Sequence, residues 1–374
     1  MTTDQTEWRI IGETVPGASH LRAGVPNQDS ILCVRESSRS LPIVLSVSDG
    51  HGSPKCFRSD RGSQFAVKKA AFLISEFLDE RRGKFDLTGI ESQKDYLAGE
   101  FLNRWREAVE ADLKKEPFNE KEFENLEKKS DAKARKLVED NPLLAYGATS
   151  LTVAMEQDFV LYLQLGDGDI LNVSEAGEVT KPLPEDPRLL ANETTSLCLP
   201  KAENDFRFLV QKISDEQSPS MILLSTDGYL NSFSSEAGFF QAGTDILNML
   251  AAENGFDAVN ENLKAWLEEA TQMGSGDDCT VGIIYRPDAL KKFDTAEKSE
   301  IVAQPSANSQ IEKVTAEIPT NLLPPSTENP DDVTVTITIK KDKNKTSAPP
   351  IVTVNNSAKE STEFADKNAE KESE

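Results

Sequence analysis

The chain has 374 residues, 37% hydrophobic and 28% charged, with a formal net charge of −23 at pH 7. That balance is globular and excludes a collagen, a coiled coil or a mucin, while the acidity sets the protein against bare nucleic acid and anionic lipid as primary partners. No apolar run is long enough to span a bilayer, the first residues lack the basic and apolar regions of a secretory signal, and four scattered cysteines show neither zinc-ribbon nor disulfide spacing, so a reducing cytoplasm is the expected compartment.

In chain order, Trp8–Gly12, Ile31–Val34 and Pro42–Val47 read as short strands. Ala66, Ala70, Leu73 and Phe77 fall at helical spacing, as do Leu97, Phe101, Trp105 and Ala108. Glu120–Glu139 is highly charged and is expected to be helical with little apolar face. Ser150–Met155 and Phe159–Leu165, parted by a short polar turn, predict a hairpin. Phe206–Gln211 and Met221–Ser225 are further strands, Phe239–Leu250 and Val259–Ala270 amphipathic helices, and Thr280–Tyr285 a last strand. Strands outside a regular βαβ alternation point to an α+β fold with antiparallel sheets. From Arg286 to the end there is no glycine, 8 of the 19 prolines and only two aromatics, Phe293 and Phe364. Such a segment cannot bury enough apolar surface to offset chain entropy, so a catalytic domain over 1–286 and a disordered tail over 287–374 are expected. Val333–Ile339 alternates Thr with Val and Ile; disorder is favoured over pairing with a sheet edge. The tail from Arg286 carries 16 acids against 12 bases, so most of the negative charge belongs to the folded part.

The chemistry-bearing residues are acids at strand ends. Asp29 precedes one strand; Asp49, Asp167 and Asp227 each directly follow one; Asp277 and Asp278 precede the last. Any single Asp-Gly after a strand is most simply a turn, since Asp bonds nearby backbone and Gly accepts positive φ. Five such places in one core are harder to read that way, because strands of a sandwich end at common edges. Converged carboxylates repel unless a cation neutralises them, and hard oxygen donors suit Mg²⁺ or Mn²⁺ rather than zinc. An EF-hand over Asp167–Glu178 is rejected: Leu171 and Asn172 occupy positions needing an oxygen ligand and the turn glycine, and a strand precedes the loop. Of only two histidines, His20 and His51, the second lies within Asp49-Gly-His-Gly52, where flanking glycines allow close backbone approach and the imidazole can donate a proton near neutral pH.

The ordered series Asn27-Gln-Asp-Ser30, Asp49-Gly-His-Gly52, Gly147-Ala-Thr-Ser150, Gly166-Asp-Gly168, Ser225-Thr-Asp-Gly228 and Gly276-Asp-Asp-Cys-Thr280 resembles the metal-dependent protein phosphatases of the 2C type, over roughly residues 8 to 285. The opening Gly17–Asp29 stretch, and the Trp105 helix followed by Pro117-Phe118, look most like the shorter bacterial branch. The resemblance implies a four-layer αββα sandwich, helices outside two antiparallel sheets, with a two-metal site at the sheet ends. It implies that Asp49 bridges two Mg²⁺ or Mn²⁺ ions, that the Gly50 carbonyl serves one, that Asp227 and Asp277 complete the other, and that Asp29 holds metal-bound water. Asp167, with Asp227, matches a weaker third-metal site. The implied reaction is in-line attack on a phosphoester by a water shared between the ions. His51 is then the general acid for a serine or threonine leaving group.

Three positions depart from the family's pattern. Gln28 stands where Glu is usual; its amide oxygen could ligate, without charge. The usual phosphate-binding Arg falls at Gly24, with Arg22 or His20 as candidate substitutes. Asn231 stands where another Asp is frequent. The expected protein is thus a cytoplasmic, monomeric serine/threonine phosphoprotein phosphatase, with phosphoproteins and a cognate kinase as partners and no nucleic acid or membrane. The alternative is a catalytically weak phosphatase-like module that binds phosphoproteins or scaffolds a kinase.

Overall fold

The computed structural model describes residues 8–35, 41–186, 194–214 and 218–290. They include ten strands and nine α-helices: β1 (Arg9–Val15), α1 (Ala18–Ala23), β2 (Ser30–Arg35), β3 (Ile43–Ser48), α2 (Ser59–Glu80), α3 (Leu87–Glu91), α4 (Lys94–Lys115), α5 (Glu120–Lys129), α6 (Ala132–Asp140), β4 (Ser150–Met155), β5 (Phe159–Leu165), β6 (Asp169–Val173), β7 (Val179–Thr180), β8 (Arg207–Lys212), β9 (Met221–Ser225), α7 (Asp227–Leu230), α8 (Glu236–Ala251), α9 (Gly255–Met273) and β10 (Cys279–Tyr285). The strands form two five-stranded sheets, β1-β10-β9-β6-β7 and β2-β3-β4-β5-β8, and every pairing is antiparallel.

Side-chain alternation builds the layers. In β3, Ile43, Leu45 and Val47 enter the core between the sheets, beside Leu151 and Val153 of β4 and Ile222 and Leu224 of β9. Val44 points the other way, into a second core with Ala66, Ala70, Leu73 and Phe77 of α2 and Leu97, Phe101 and Trp105 of α4. Leu171 and Val173 of β6 and Leu223 of β9 likewise face a third core, against Phe239 and Leu247 of α8 and Val259, Leu263 and Leu267 of α9. Helices thus cover both outer faces, and the expected four-layer α+β sandwich is what the chain forms. The strands β3, β4 and β5 are buried along their whole length, because each face has its own apolar partner. Close approach of the two sheets uses a glycine pair: Gly12 and Gly282 sit opposite one another, and a Cβ on Gly282 would come within 2.9 Å of Leu45 and 3.1 Å of Ile31.

The stretch Glu120–Glu139, expected to be helical, forms two helices. Asn119 and Glu122 form a capping box that starts α5, and the Asp131 side chain accepts from the Ala134 N–H to start α6. These helices do have an apolar face: Phe123, Leu126, Ala134 and Val138 are buried. At their root Arg58 is buried, bonded to Glu122 through Nε at 2.7 Å and to the Tyr146 hydroxyl at 2.8 Å.

The chain divides into two units, Met1–Gln304 and Pro305–Glu374. The second unit, the Val333–Ile339 segment and nearly all of the expected tail lie outside the described residues. Packing does continue past the expected boundary at 286. Residues 287–290 are helical, Ala289 and Leu290 are buried, and Leu290 joins the core under α8 and α9. Burying one leucine stabilises by about 1.5–3 kcal/mol. A chain cut after Arg286 should therefore melt several degrees below one cut after Gln304, measured by differential scanning calorimetry; equal melting temperatures would show that Leu290 contributes nothing.

Candidate metal centre and active site

Register brings the acidic motifs to one end of each sheet. Ser30 pairs with Ser48, so Asp29 and Asp49 flank the same end of the β2–β3 pair. Ser150 pairs with Leu165, which places Thr149 beside the Gly166–Gly168 turn. In the other sheet Ser225 of β9 pairs with both Val281 and Asp169, so Asp227 and Asp277 emerge at one edge. Two glycines permit the close packing there. A Cβ on Gly50 would lie 2.5 Å from the Gln28 carbonyl oxygen, and one on Gly228 only 2.0 Å from that of Asp278, so neither site accepts another residue without a backbone shift.

Hydroxyls that the motif reading did not single out hold the carboxylates. Thr226 and Thr280 donate to Asp29 Oδ2 at 2.8 and 2.7 Å, which ties the residue before β2 to the opposite sheet. The Asp49 N–H donates to Thr149 Oγ1 at 3.0 Å, and the Thr149 N–H to the Asp49 carbonyl at 2.8 Å. Each threonine lay inside a quoted motif, but its role needs the register to be seen. Asp278 also belongs to this framework. It is 3% exposed, and its two oxygens accept from the Gly17 N–H at 2.6 Å and the Gln28 N–H at 2.7 Å. Replacing Asp278 by Ala would strand both buried donors and should cost about 2–5 kcal/mol; a thermal or urea melt within 0.5 kcal/mol of the parent would contradict this framework role.

Electrostatics within the cluster are unfavourable. Burial, then the Asp278 charge, push the Asp29 carboxyl up to about 8. Burial, then Asp167 and Asp277, push Asp227 up to about 6. Asp49 is held well above the usual carboxylate range by burial and by Asp29, Asp227, Asp167 and Asp277 together. Asp29 Oδ1 and Asp167 Oδ1 are buried and accept no hydrogen bond. Crowded hard oxygens with spare lone pairs fit divalent cations such as Mg²⁺ or Mn²⁺.

The remaining sequence candidates are found as follows. The His51 N–H donates to the Gly147 carbonyl at 3.1 Å; its ring lies against Gly147, its buried Nε2 has no hydrogen-bond partner, and burial lowers its pKa while Asp167 raises it. Gln28 is buried, and its side-chain amide donates to Ser59 Oγ and, at 3.5 Å, to the His51 carbonyl. His20 packs on the two acids before β10, Nδ1 at 2.9 Å from Asp278 and Nε2 at 3.4 Å from Asp277. These three are, among the described residues, the one set of metal-capable side chains whose ligand atoms already lie within 4.8 Å of one another. Asp278 is nevertheless engaged by two backbone donors, so it acts there as framework. Arg22 is exposed on α1. Gly24 ends α1 with φ 66° in the left-handed region, its N–H reaching the His20 and Leu21 carbonyls, which explains a glycine in place of an arginine. Asn231 donates to Asp227 Oδ2 at 3.1 Å.

A sequence model described as protein phosphatase 2C matches residues 16–268, and the chain belongs to that family. No curated protein sequence gives a significant match. Among solved structures, the chain is similar to a serine/threonine phosphatase of Staphylococcus aureus, at 12% identity and TM-score 0.47, over 75% of this chain and 95% of that one. It is similar to the S. agalactiae serine/threonine phosphatase at 19% identity and TM-score 0.45, over 75% and 99%. A C. elegans sex-determining protein is similar at 18% identity and TM-score 0.46, over 77% of this chain and 67% of that one.

Proposed function

We propose that this chain is a Mg²⁺- or Mn²⁺-dependent phosphatase that removes phosphate from serine and threonine side chains of proteins. The observation that carries the reading is the cluster of Asp29, Asp49, Asp167 and Asp227 at one end of the two sheets, in which burial and mutual repulsion hold Asp29, Asp49 and Asp227 above the usual carboxylate range. In this reading Asp49, Asp227 and Asp277, with the Gly50 carbonyl, hold two ions. Asp29 and Gln28 sit around them, and Asp167 with Asp227 offers a weaker third position. When bound, the ions would supply a water of lowered pKa and positive charge opposite the phosphate.

The chain's own residues do the rest. Thr226, Thr280 and Thr149 hold the acids in place, so no side chain must be reorganised as charge develops. Serine and threonine alkoxides are poor leaving groups, and His51, bound by its backbone to Gly147, is the proton donor. His20 or Arg22 is the candidate phosphate-binding side chain. Phosphoproteins, and the kinases that make them, are the partners that follow. Among the described residues no helix is long and apolar enough to cross a membrane, and all four cysteines are unpaired, which supports a reducing compartment.

Phosphate release from a phosphothreonine peptide, with Mn²⁺ and then with EDTA, tests the proposal. Turnover that needs Mn²⁺ and is lost in EDTA is expected. Peptide binding without turnover would favour the rival phosphoprotein-binding module, and undiminished turnover in EDTA would remove the metal centre.

A further inference from the structure

Strand alternation brings two threonines to one end of the space between the sheets. In β1, Ile11 and Val15 face the core under α8 and α9, so Ile10, Gly12 and Thr14 take the inner face. In β10, Val281 and Ile283 face the same outer core, and Thr280, Gly282 and Ile284 take the inner one. The register sets Thr14 directly opposite Thr280, and their hydroxyl oxygens are 2.7 Å apart. Threonine suits such a cross-strand pair, because β-branching stiffens χ1 and its hydroxyl can bond the facing one.

With Asp29 ionised, one arrangement of hydrogens satisfies this group. A carboxylate only accepts, so the Thr226 and Thr280 hydroxyls both donate to Asp29 Oδ2, at 2.8 and 2.7 Å. A hydroxyl has one proton and two lone pairs. The Thr280 proton is engaged by Asp29, so at the 2.7 Å contact Thr14 is the donor and Thr280 the acceptor. The Thr14 proton is engaged in turn, and Thr14 accepts from the Asn27 side-chain amide at 2.9 Å. Asn27 Oδ1 accepts from the Asp29 N–H at 3.0 Å. The bonds form a closed circuit that leaves Asp29 by its backbone and returns to its carboxylate, through Asn27, Thr14 and Thr280. Each bond in such a chain polarises the next, which strengthens the last one. Thr226 is held as well, since its hydroxyl accepts from the Thr280 N–H at 3.0 Å.

We propose that Thr14 is a positioning residue for the metal centre: through Thr280 it fixes the carboxylate of Asp29. This role rests on the metal-dependent reading of the site and brings into it β1, a strand with no candidate ligand. Hydrogen-bonded partners behind a metal shell set the orientation of the groups in it.

Calorimetric titration of Mn²⁺ into the metal-free full-length protein, well below its melting temperature, is the test. Thr280→Val removes a donor from Asp29 and should weaken binding about 10–100-fold. Thr14→Val leaves that donor and removes only the hydroxyl behind it, so binding should weaken about three- to tenfold. Thr14→Ser keeps the hydroxyl and should bind within about twofold of the parent. Because Thr14 acts through Thr280, Thr14→Val should add nothing further in the Thr280→Val protein. A threonine with a packing role alone would shift the melting temperature and leave Mn²⁺ binding as it was. Binding unchanged or tighter in Thr14→Val, or losses that simply add in the double variant, would overturn the role of Thr14 and leave the metal centre standing. Should Thr280→Val fail to fold, Thr14→Val against Thr14→Ser decides, and equal binding in those two would overturn it. A parent protein that binds no Mn²⁺ would overturn the metal centre and this role with it.

Discussion

Asp49→Asn should abolish turnover while leaving the metal-free protein as stable as the parent, or more stable, at pH 8. The two halves of this expectation have one cause. Asp49 is half-buried, and desolvation, then the charges of Asp29, Asp227, Asp167 and Asp277, push its carboxyl well above the ordinary range. Without a cation, every charge placed there is repelled, and Asn removes one. With a cation, the same charge is the bond, and Asn forfeits it. An acid held by structure behaves in the opposite way: Asp278, with its two backbone donors, should lower stability when replaced. Enzyme assay and differential scanning calorimetry on the same preparation separate the cases, and an Asp49→Asn protein that melts well below the parent would mean the cluster is scaffold. Linkage gives the sign with pH. The folded Asp29 carboxyl titrates at about 8 against an ordinary 3.8, so the folded form favours the proton. Its contribution to metal-free stability is full below about pH 4 and is lost as pH rises through about 8. Mn²⁺, which needs the carboxylates ionised, should bind more tightly over the same rise.

His51→Ala should slow hydrolysis of a phosphothreonine peptide by about 10²–10⁴-fold, the range of general acid catalysis. The loss should be much smaller on p-nitrophenyl phosphate, whose leaving group needs little protonation. Burial holds the imidazole below the usual histidine range, with Asp167 acting against that, so only part of it carries a proton at neutral pH. At saturating Mn²⁺, kcat on the peptide should therefore fall from pH 6 to pH 8, and the variant should lose that slope. Equal losses on both substrates would assign His51 a structural part, through its contact with Gly147.

Sequence periodicity was enough for most of the frame. The strands Ser150–Met155, Phe159–Leu165 and Met221–Ser225 form as read, because each is an apolar run bounded by turn residues. β6 was not legible: Asp169 and Asn172 interrupt its apolar pattern, and both are buried because partners from other elements engage them, Lys181 for Asp169 and the Tyr162 hydroxyl for Asn172. The charged stretch after Asn119 hid an apolar face, since Phe123, Leu126, Ala134 and Val138 are spread among many ionic neighbours along two helices. At the site the acids were visible one by one, at strand ends. What joins them was not: a threonine hydroxyl reaching from β10 to Asp29 spans 251 positions of chain. The exchange of roles between neighbours Asp277 and Asp278, one half-exposed and the other gripped by backbone donors, is likewise set by which way each side chain leaves the turn.

The central claim is that the buried carboxylates are a metal centre, and calorimetric titration of Mn²⁺ into the metal-free full-length protein at pH 7 tests it most directly. Run in two buffers of different ionisation enthalpy, the titration also counts protons released. Asp29, at about 8, holds its proton at pH 7 in the metal-free state, and Asp227, at about 6, holds a fraction of one. The account predicts saturable binding that displaces at least about half a proton per chain and that disappears in Asp49→Asn. Binding with no proton release, or binding undiminished in that variant, would contradict it.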